Sequence, residues 1–298
     1  MSISKKIRII CISDTHNAAP GQGFVLPKGD ILIHAGDLTN QGSLPELKKA
    51  VSWISKADFA VKIVIAGNHD LSLDPNYGLK HSTGWTVVPA DVEACRRLVA
   101  DGNFVYLQHS SAVVHLLEHN ISLRVFGSPY SSDRGKQNWA FQYDQADADA
   151  LWNDIPPDID LLITHTPAFG NCDTSAHWTA GGCEGLKRAL VSRRPQLHVC
   201  GHCHEGRGAC VVRWVDAEGE CATQPWEDPG AGNKKMSLLN LAGNAGAVLE
   251  VGKQSAIVNA SIMAKSFGRG AKSFNKPIVV DMLLPIQPTH AMSPETAL

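Results

Sequence analysis

Five short stretches of this 298-residue chain concentrate imidazole, carboxylate and carboxamide side chains. They are Asp14-Thr15-His16, Gly36-Asp37, Gly67-Asn68-His69-Asp70, His165 ahead of Thr166-Pro167, and Gly201-His202-Cys203-His204. Each follows a short apolar run that reads as a strand. In an open α/β sheet the carboxyl ends of the strands line one crevice, so five strand-end clusters can meet at one place. The donor set is then Asp14, His16, Asp37, Asn68, His165, His202 and His204. Mixed imidazole, carboxylate and amide oxygen suits borderline divalent ions such as Mn²⁺, Fe²⁺ or Zn²⁺. Seven donors are too many for one tetrahedral catalytic metal, which keeps three protein ligands and an open position. They suit two ions sharing a carboxylate, and two metals roughly 3.5–4 Å apart clamp the attacking and leaving oxygens of an in-line phosphoryl displacement.

The elements that must position these residues are legible around them. Apolar runs at residues 7–12, 31–34, 61–66, 104–107, 112–117, 122–126, 160–164 and 197–200 are short, rich in Val and Ile, and end at Gly, Asp, His or Pro. That is the pattern of buried strands in a layered α/β protein. Ser43 and Glu46 fit a capping box ahead of Leu47, Val51 and Ile54 at i, i+4, i+7, which predicts a helix. Further helices are expected over residues 91–100 and 184–192. A hairpin turn is expected near His119-Asn120. Residues 217–246 concentrate Gly, Pro, Asn, Asp and Lys with weak periodicity and read as a loop insertion. Strands resume at 256–260 and 277–283. Residues 5–285 read as a single domain and 286–298 as a disordered tail.

Composition narrows the function classes. Lys plus Arg number 27 and Asp plus Glu 29, a net charge of −2, so the basic footprint of a protein that binds long nucleic acid is missing. No run approaches the roughly 18 apolar residues of a membrane helix, so no membrane partner is expected. The first apolar run carries Arg8 and leads into Ser13-Asp14 rather than a small-residue cleavage site, unlike a signal peptide. Eight Cys are too sparse for a disulfide scaffold, which points to reduced thiols and a cytoplasmic location.

The five motifs, in this order, resemble those of the calcineurin-like metallophosphoesterases: D-x-H, G-D, G-N-H-[DE], H and G-H-x-H. Within that superfamily the chain is most similar to the metallophosphoesterase domain-containing branch, related to class III cyclic nucleotide phosphodiesterases. The words that carry the likeness are residues 13–16, 29–37, 62–69 and 202–206, with Val258-Asn259-Ala260-Ser261 also similar. The resemblance implies a four-layer αββα sandwich with two central mixed β-sheets, and two divalent metal ions, manganese first with iron(II) or zinc as alternatives. It implies that Asp14, His16, Asp37 and His204 bind one metal and that Asp37, Asn68, His165 and His202 bind the other, with Asp37 bridging. A hydroxide held between the metals would attack phosphorus. His69 would stand beside the phosphoryl group, stabilising charge or protonating the leaving oxygen, with Asp70 orienting it.

Two departures bear on function. Mammalian proteins of this branch can carry Gly where His202 stands, so keeping His implies fuller catalytic competence. The Ser/Thr protein phosphatases extend G-D with an Asp-Arg-Gly triplet that supplies a phosphate-binding Arg, whereas Gly36-Asp37 continues here as Leu38-Thr39-Asn40-Gln41-Gly42. The expected substrate is a small-molecule phosphate ester, a small phosphodiester such as a cyclic nucleotide first. A phosphomonoesterase on the same site is an alternative. So is a non-catalytic scaffold on the same fold, as with the retromer subunit that resembles this superfamily.

Taken singly, each motif has an ordinary reading: Asp14 or Asp37 as a turn or cap, Asn68 as a turn, His165 as a buried, hydrogen-bonded imidazole. The run Cys200-Gly201-His202-Cys203-His204 also admits half of a structural zinc site. His34 reads as buried, and His81, His109, His115, His119, His177 and His198 as structural or exposed. Residues 127–130 and 139–141 could form an apolar wall against a base or leaving group, or pack in the core. Residues 71–86 and the 217–246 insertion read as rim loops.

Overall fold

A computed structural model describes residues 3–77, 89–135, 138–179, 181–215, 221–243, 248–264 and 272–287. In chain order the elements begin with β1 (Ser4–Ile12), β2 (Ile31–Ala35), α1 (Leu44–Lys56), β3 (Val61–Ile65), α2 (Pro89–Ala100), β4 (Val105–Leu107), β5 (Ser110–Leu116) and β6 (Ile121–Ser128). They continue with β7 (Ser131–Ser132), β8 (Gln142–Tyr143), α3 (Ala148–Asn153), β9 (Leu161–Thr164), α4 (Glu184–Arg193) and β10 (Leu197–Cys200). The last strands are β11 (Gly208–Trp214), β12 (Cys221–Pro225), β13 (Ser237–Leu241), β14 (Gln254–Asn259) and β15 (Ile278–Pro285).

Two large sheets form the centre. One runs β13-β15-β1-β2-β3-β4, the other β12-β11-β14-β10-β9-β6-β5. Both are mixed. β1 to β4 are parallel while β15 runs against β1, and β6, β9, β10 and β14 are parallel while β5 and β11 run against their neighbours. Ile9, Ile33 and Ile63 from the first sheet share one core with Val125, Ile163 and Val199 from the second. The outer face of the first sheet takes Leu47, Val51 and Ile54 of α1 and Val99 of α2. The outer face of the second takes Trp152 of α3 and Leu186 and Leu190 of α4. The layers therefore run α, β, β, α. β2 and β3 are buried along their whole length, which is why they read as unbroken apolar runs rather than alternating ones.

The start of α1 is fixed as the sequence implies. The Glu46 carboxylate accepts from the Ser43 N–H (3.3 Å) and Ser43 Oγ (2.9 Å), and also from the Asn40 side chain (2.7 Å). The other end of α1 is closed by Lys62 of β3, whose Nζ donates to the carbonyls of Ser55 and Ala57. β15 is tied to β1 by Arg8, which donates through Nε and Nη2 to the two oxygens of Asp281 at 2.7 and 2.8 Å, the bidentate geometry that strengthens such pairs.

The structure differs from the sequence reading at residues 217–246. Two strands lie there: β12 pairs antiparallel with β11, and β13 pairs parallel with β15 and closes the edge of the first sheet. Leu239 and Leu241 of β13 are buried in the inter-sheet core. The alternation in Ser237-Leu238-Leu239-Asn240-Leu241 is a strand signal five residues long, and the turn-forming residues before it obscure it. The helix α3 and the small β7-β8 pairing also had no distinct sequence signal. Residues 78–86 of the expected rim loop, His81, and residues 288–298 of the expected tail lie outside the described residues.

Candidate metal centre and active site

Every expected donor sits just past the carboxyl end of a strand. Asp14 and His16 follow β1, Asp37 follows β2, and Asn68 and His69 follow β3; His165 follows β9, and His202 and His204 follow β10. The two sheets thus present three strand ends and two strand ends to a common crevice. The turns that deliver the donors are tight: Asp14, His16, Asp37 and His202 all have left-handed backbone, with φ of 53°, 41°, 54° and 66°. Such conformations cost about 1–3 kcal/mol each in non-glycine residues and persist where the surroundings over-determine them. The glycines beside the donors have their own reason. Gly36 has φ 97°, and a Cβ there would stand 2.5 Å from His165 Nδ1. A Cβ on Gly67 would collide with Asp37 Oδ1.

The side chains converge on two adjacent groups. In the first, His204 Nε2 lies 3.3 Å from Asp14 Oδ1 and 3.3 Å from His16 Nε2. In the second, Asn68 Oδ1 faces His165 Nε2 and His202 Nδ1, each at 2.9 Å. Asp37 stands between them, its Oδ2 at 3.7 Å from His16 Nε2 and 3.4 Å from His165 Nε2. Asp14, His16, Asp37, Asn68, His165 and His204 are buried, while His69 and His202 are half-buried. The structure brings all seven expected donors together. Among the described residues, the three clusters of His, Cys, Asp and Glu close enough to share an ion all lie here and contain no cysteine, so the zinc reading of residues 200–204 finds no second thiol ligand.

The electrostatics favour cations. Burial pushes the His16 and His202 imidazoles down to about 3, which leaves both neutral with lone pairs to offer. Burial raises the Asp14 carboxyl, but His204 and His165 outweigh it and hold it below the ordinary carboxylate value. Asp37 is likewise held well below that value by His165, His69 and His16 against the effect of burial. Two like-signed carboxylates therefore stay ionised side by side, both buried. His165 completes the fit. Its Nδ1–H donates to the Ala35 carbonyl (2.9 Å), so in the neutral ring Nε2 is a bare lone pair aimed at the Asn68 Oδ1 lone pairs. A proton on Nε2 or a metal ion between the two atoms satisfies that contact. With no metal, burial lowers the His165 pKa but Asp37 raises it further, to about 9.

One pH dependence follows. An ion entering beside His165 displaces a proton bound with a pKa near 9. Affinity for Mn²⁺ is therefore expected to rise about tenfold per pH unit from pH 7 toward 9 and then level off. Calorimetric titration in two buffers of different ionisation enthalpy counts the proton released; no release at pH 7 would contradict the placement of His165.

His69 is set apart from the donors. Its N–H donates to Asp37 Oδ1 (2.9 Å), and its Nδ1 donates to the Asn40 carbonyl (2.7 Å). The ring stands edge-on to His16 at 4.7 Å and lies against Trp139 at 4.1 Å between centroids. Asp70 does not orient this imidazole, contrary to the sequence reading. Its buried carboxylate accepts instead from the N–H groups of Leu38 (3.2 Å), Thr39 (2.9 Å) and Gly67 (2.8 Å) and from Thr39 Oγ1 (2.7 Å). Asp70 thereby clips the loop carrying Asp37 to the loop carrying Asn68. Burial, with Asp37 nearby, raises its pKa to about 7.

The calcineurin-like phosphoesterase family profile matches residues 7–206, the span that holds all five motifs. This chain belongs to that family. The calcineurin-like protein is 35% identical over 212 residues to metallophosphoesterase domain-containing protein 1 of Homo sapiens, covering 67% of this chain and 61% of the human one. It is 31% identical over 215 residues to a UPF0046 protein of Caenorhabditis elegans, 68% of this chain and 65% of that one. It is also 43% identical over 213 residues to the probable rhamnogalacturonate lyase C of Emericella nidulans, but that stretch is 70% of this chain and only 18% of the lyase. The chain thus spans less than two thirds of each of these relatives. Among solved structures, purple acid phosphatase from yellow lupin aligns with 92% of this chain and 46% of its own, at TM-score 0.39 and 12% identity.

The structure adds residues that the motifs do not assign. Ser261 Oγ donates to Asp14 Oδ2 (2.8 Å), and Asn259 Oδ1 accepts from the Ser261 backbone N–H (3.2 Å) while its Nδ2 donates to the carbonyls of Cys172 and Cys203. The likeness at residues 258–261 pointed at this segment without giving it a role. Asn40, which fixes His69, and Trp178, whose ring stacks on His202 at 5.6 Å, had no sequence signal. His34 and His198 are buried and hydrogen-bonded to Thr15 and Thr164, as structural histidines should be.

Proposed function

We propose that this calcineurin-like protein is a dinuclear metal-dependent phosphoesterase that hydrolyses a small phosphodiester, of which a cyclic nucleotide is the first candidate. The observation that carries the reading is Asp37 Oδ2, placed between His16 of one donor group and His165 of the other. Asp14, His16, Asp37 and His204 would hold one ion, and Asp37, Asn68, His165 and His202 the other. When bound, two divalent ions, manganese in our reading, supply Lewis-acid activation of water and neutralise charge on the phosphoryl group. Family membership and the complete donor set support the phosphoesterase. The diester preference is supported by the likeness to class III cyclic nucleotide phosphodiesterases, while Gly36-Asp37-Leu38-Thr39, which lacks the phosphate-binding Arg of the Ser/Thr protein phosphatases, disfavours a protein phosphatase of that type.

His69 is the proton carrier in this reading. With Nδ1 engaged by the Asn40 carbonyl, the ring offers Nε2 to the phosphoryl or leaving oxygen at the half-open side of the site. His69→Ala is expected to bind two Mn²⁺ as the parent does and to turn over about 10²–10⁴-fold more slowly. Metal counting by atomic emission alongside rate measurements checks this, and loss of an ion would make His69 a ligand instead. Seven of the eight cysteines, Cys11, Cys95, Cys172, Cys183, Cys200, Cys203 and Cys210, are free thiols, all but Cys172 buried, which supports a reducing, cytoplasmic setting. Among the described residues no helix is long and apolar enough to cross a membrane.

The test of the activity is a paired assay on the Mn²⁺-loaded protein. It compares bis(p-nitrophenyl) phosphate with p-nitrophenyl phosphate, each with and without chelator. The expected result is chelator-sensitive turnover favouring the diester. Turnover of the monoester alone would move the assignment to a phosphatase. Cleavage of neither, with Fe²⁺ and Zn²⁺ tried as well, would favour a scaffold.

A further inference from the structure

The site is closed on most sides, because six of the seven donors are buried; it opens at His69 and His202. A tryptophan stands at each opening, both half-buried. Trp139 lies against His69 with centroids 4.1 Å apart and planes 33° apart. Trp178 stacks on His202 at 5.6 Å and 20°. The two are not equivalent. Trp178 is held from a second side by Arg134, whose guanidinium carbon lies 4.8 Å from the ring centroid and which donates to the Gly181 and Gly182 carbonyls. That arrangement fixes the ligand loop.

Trp139 is mounted differently. Its segment is pinned on both sides of the tryptophan. The Asn138 carbonyl accepts from Tyr77 Oη (3.1 Å), the Ala140 N–H donates to the Asn68 carbonyl (3.0 Å), and the Phe141 N–H donates to Asp74 Oδ2 (2.8 Å). The ring is therefore registered to the loop that carries Asn68 and His69. Among the described residues, two rings stand beside His69, next to a leaving group whose oxygen meets its Nε2. One is His16, which is buried and edge-on, and the other is the half-exposed ring of Trp139.

We infer that Trp139 is a specificity-determining residue: a shelf on which a flat aromatic part of the substrate stacks, so that the site prefers phosphate esters bearing a nucleobase or aryl ring over aliphatic ones. This inference rests on the phosphoesterase reading above and names its substrate class. Stacking of this kind contributes enough to set a preference of about tenfold between an aromatic and an aliphatic group.

The test uses two inert phosphonates that share one anionic head, phenylphosphonate and methylphosphonate. Their binding to the Mn²⁺-loaded full chain is measured by calorimetry for the parent, Trp139→Leu, Trp139→Phe and Trp178→Leu, with folding checked by circular dichroism. The parent is expected to bind phenylphosphonate about tenfold tighter, a gap that closes in Trp139→Leu, narrows in Trp139→Phe and persists in Trp178→Leu. A gap that is absent in the parent, survives in Trp139→Leu, or closes only in Trp178→Leu overturns the shelf while leaving the phosphoester site standing. Should Trp139→Leu not fold, the same gap in Trp139→Phe as in the parent overturns it. Binding of neither phosphonate to the metal-loaded parent overturns the phosphoesterase reading itself, and the shelf with it.

Discussion

Asp37→Asn is expected to lower metal-dependent turnover by about a thousandfold or more while leaving the chain folded. The size follows from the position of Oδ2, which faces one imidazole of each donor group, His16 at 3.7 Å and His165 at 3.4 Å. Converting it to a neutral amide removes the shared negative charge, and charge stabilisation at such a centre is worth several kcal/mol, at about 1.4 kcal/mol per tenfold in rate. The fold should survive, because Asn keeps an oxygen to accept from the His69 N–H and fills the same volume. Steady-state rates on bis(p-nitrophenyl) phosphate at saturating Mn²⁺, with a thermal melt of each protein, check both halves. Full activity in Asp37→Asn would remove it from the shared position.

Asp70→Ala acts on the same centre from below and should cost both stability and metal. The variant leaves the N–H groups of Leu38, Thr39 and Gly67 without the acceptor they share, while the Thr39 hydroxyl keeps the His69 carbonyl at 3.2 Å. Each buried donor left unsatisfied costs about 1–3 kcal/mol. Partial relaxation and water entry bring the expected total to about 3–5 kcal/mol. The two loops that Asp70 joins would no longer hold Asp37 and Asn68 in register, so Mn²⁺ affinity is expected to fall about 10–100-fold, as for partners that orient metal ligands. Asp70→Asn, which keeps one acceptor oxygen and turns donors toward the other N–H groups, should fall between. Urea unfolding with calorimetric metal titration separates the effects. Unchanged Mn²⁺ affinity in a folded Asp70→Ala would make Asp70 a structural clip only.

The donors were legible because their chemistry is strung along the chain at strand ends. The runs before Asp14, Asp37, Asn68, His165 and His202 are apolar for a reason the fold makes plain: β2, β3, β9 and β10 are buried throughout. The residues that support those donors were not legible in the same way. Asp70 follows His69 in sequence, which suggests a partnership, yet the turn sends its carboxylate back toward Leu38, Thr39 and Gly67. Asn40, Ser261, Trp139 and Trp178 reach the site from loops whose conformations depend on tertiary contacts rather than on period or propensity. The strand β13 was obscured for a simpler reason. Its five residues follow a Gly-, Asn- and Lys-rich stretch, and the pairing with β15 that makes them a strand lies some forty residues away.

The central claim is that the donors around Asp37 hold two metal ions. Anomalous diffraction from a crystal of the Mn²⁺-loaded protein tests it most directly. The expected result is two manganese peaks sharing Asp37, one also bound by Asp14, His16 and His204 and the other by Asn68, His165 and His202. A single peak, or two peaks that do not share Asp37, would contradict the account.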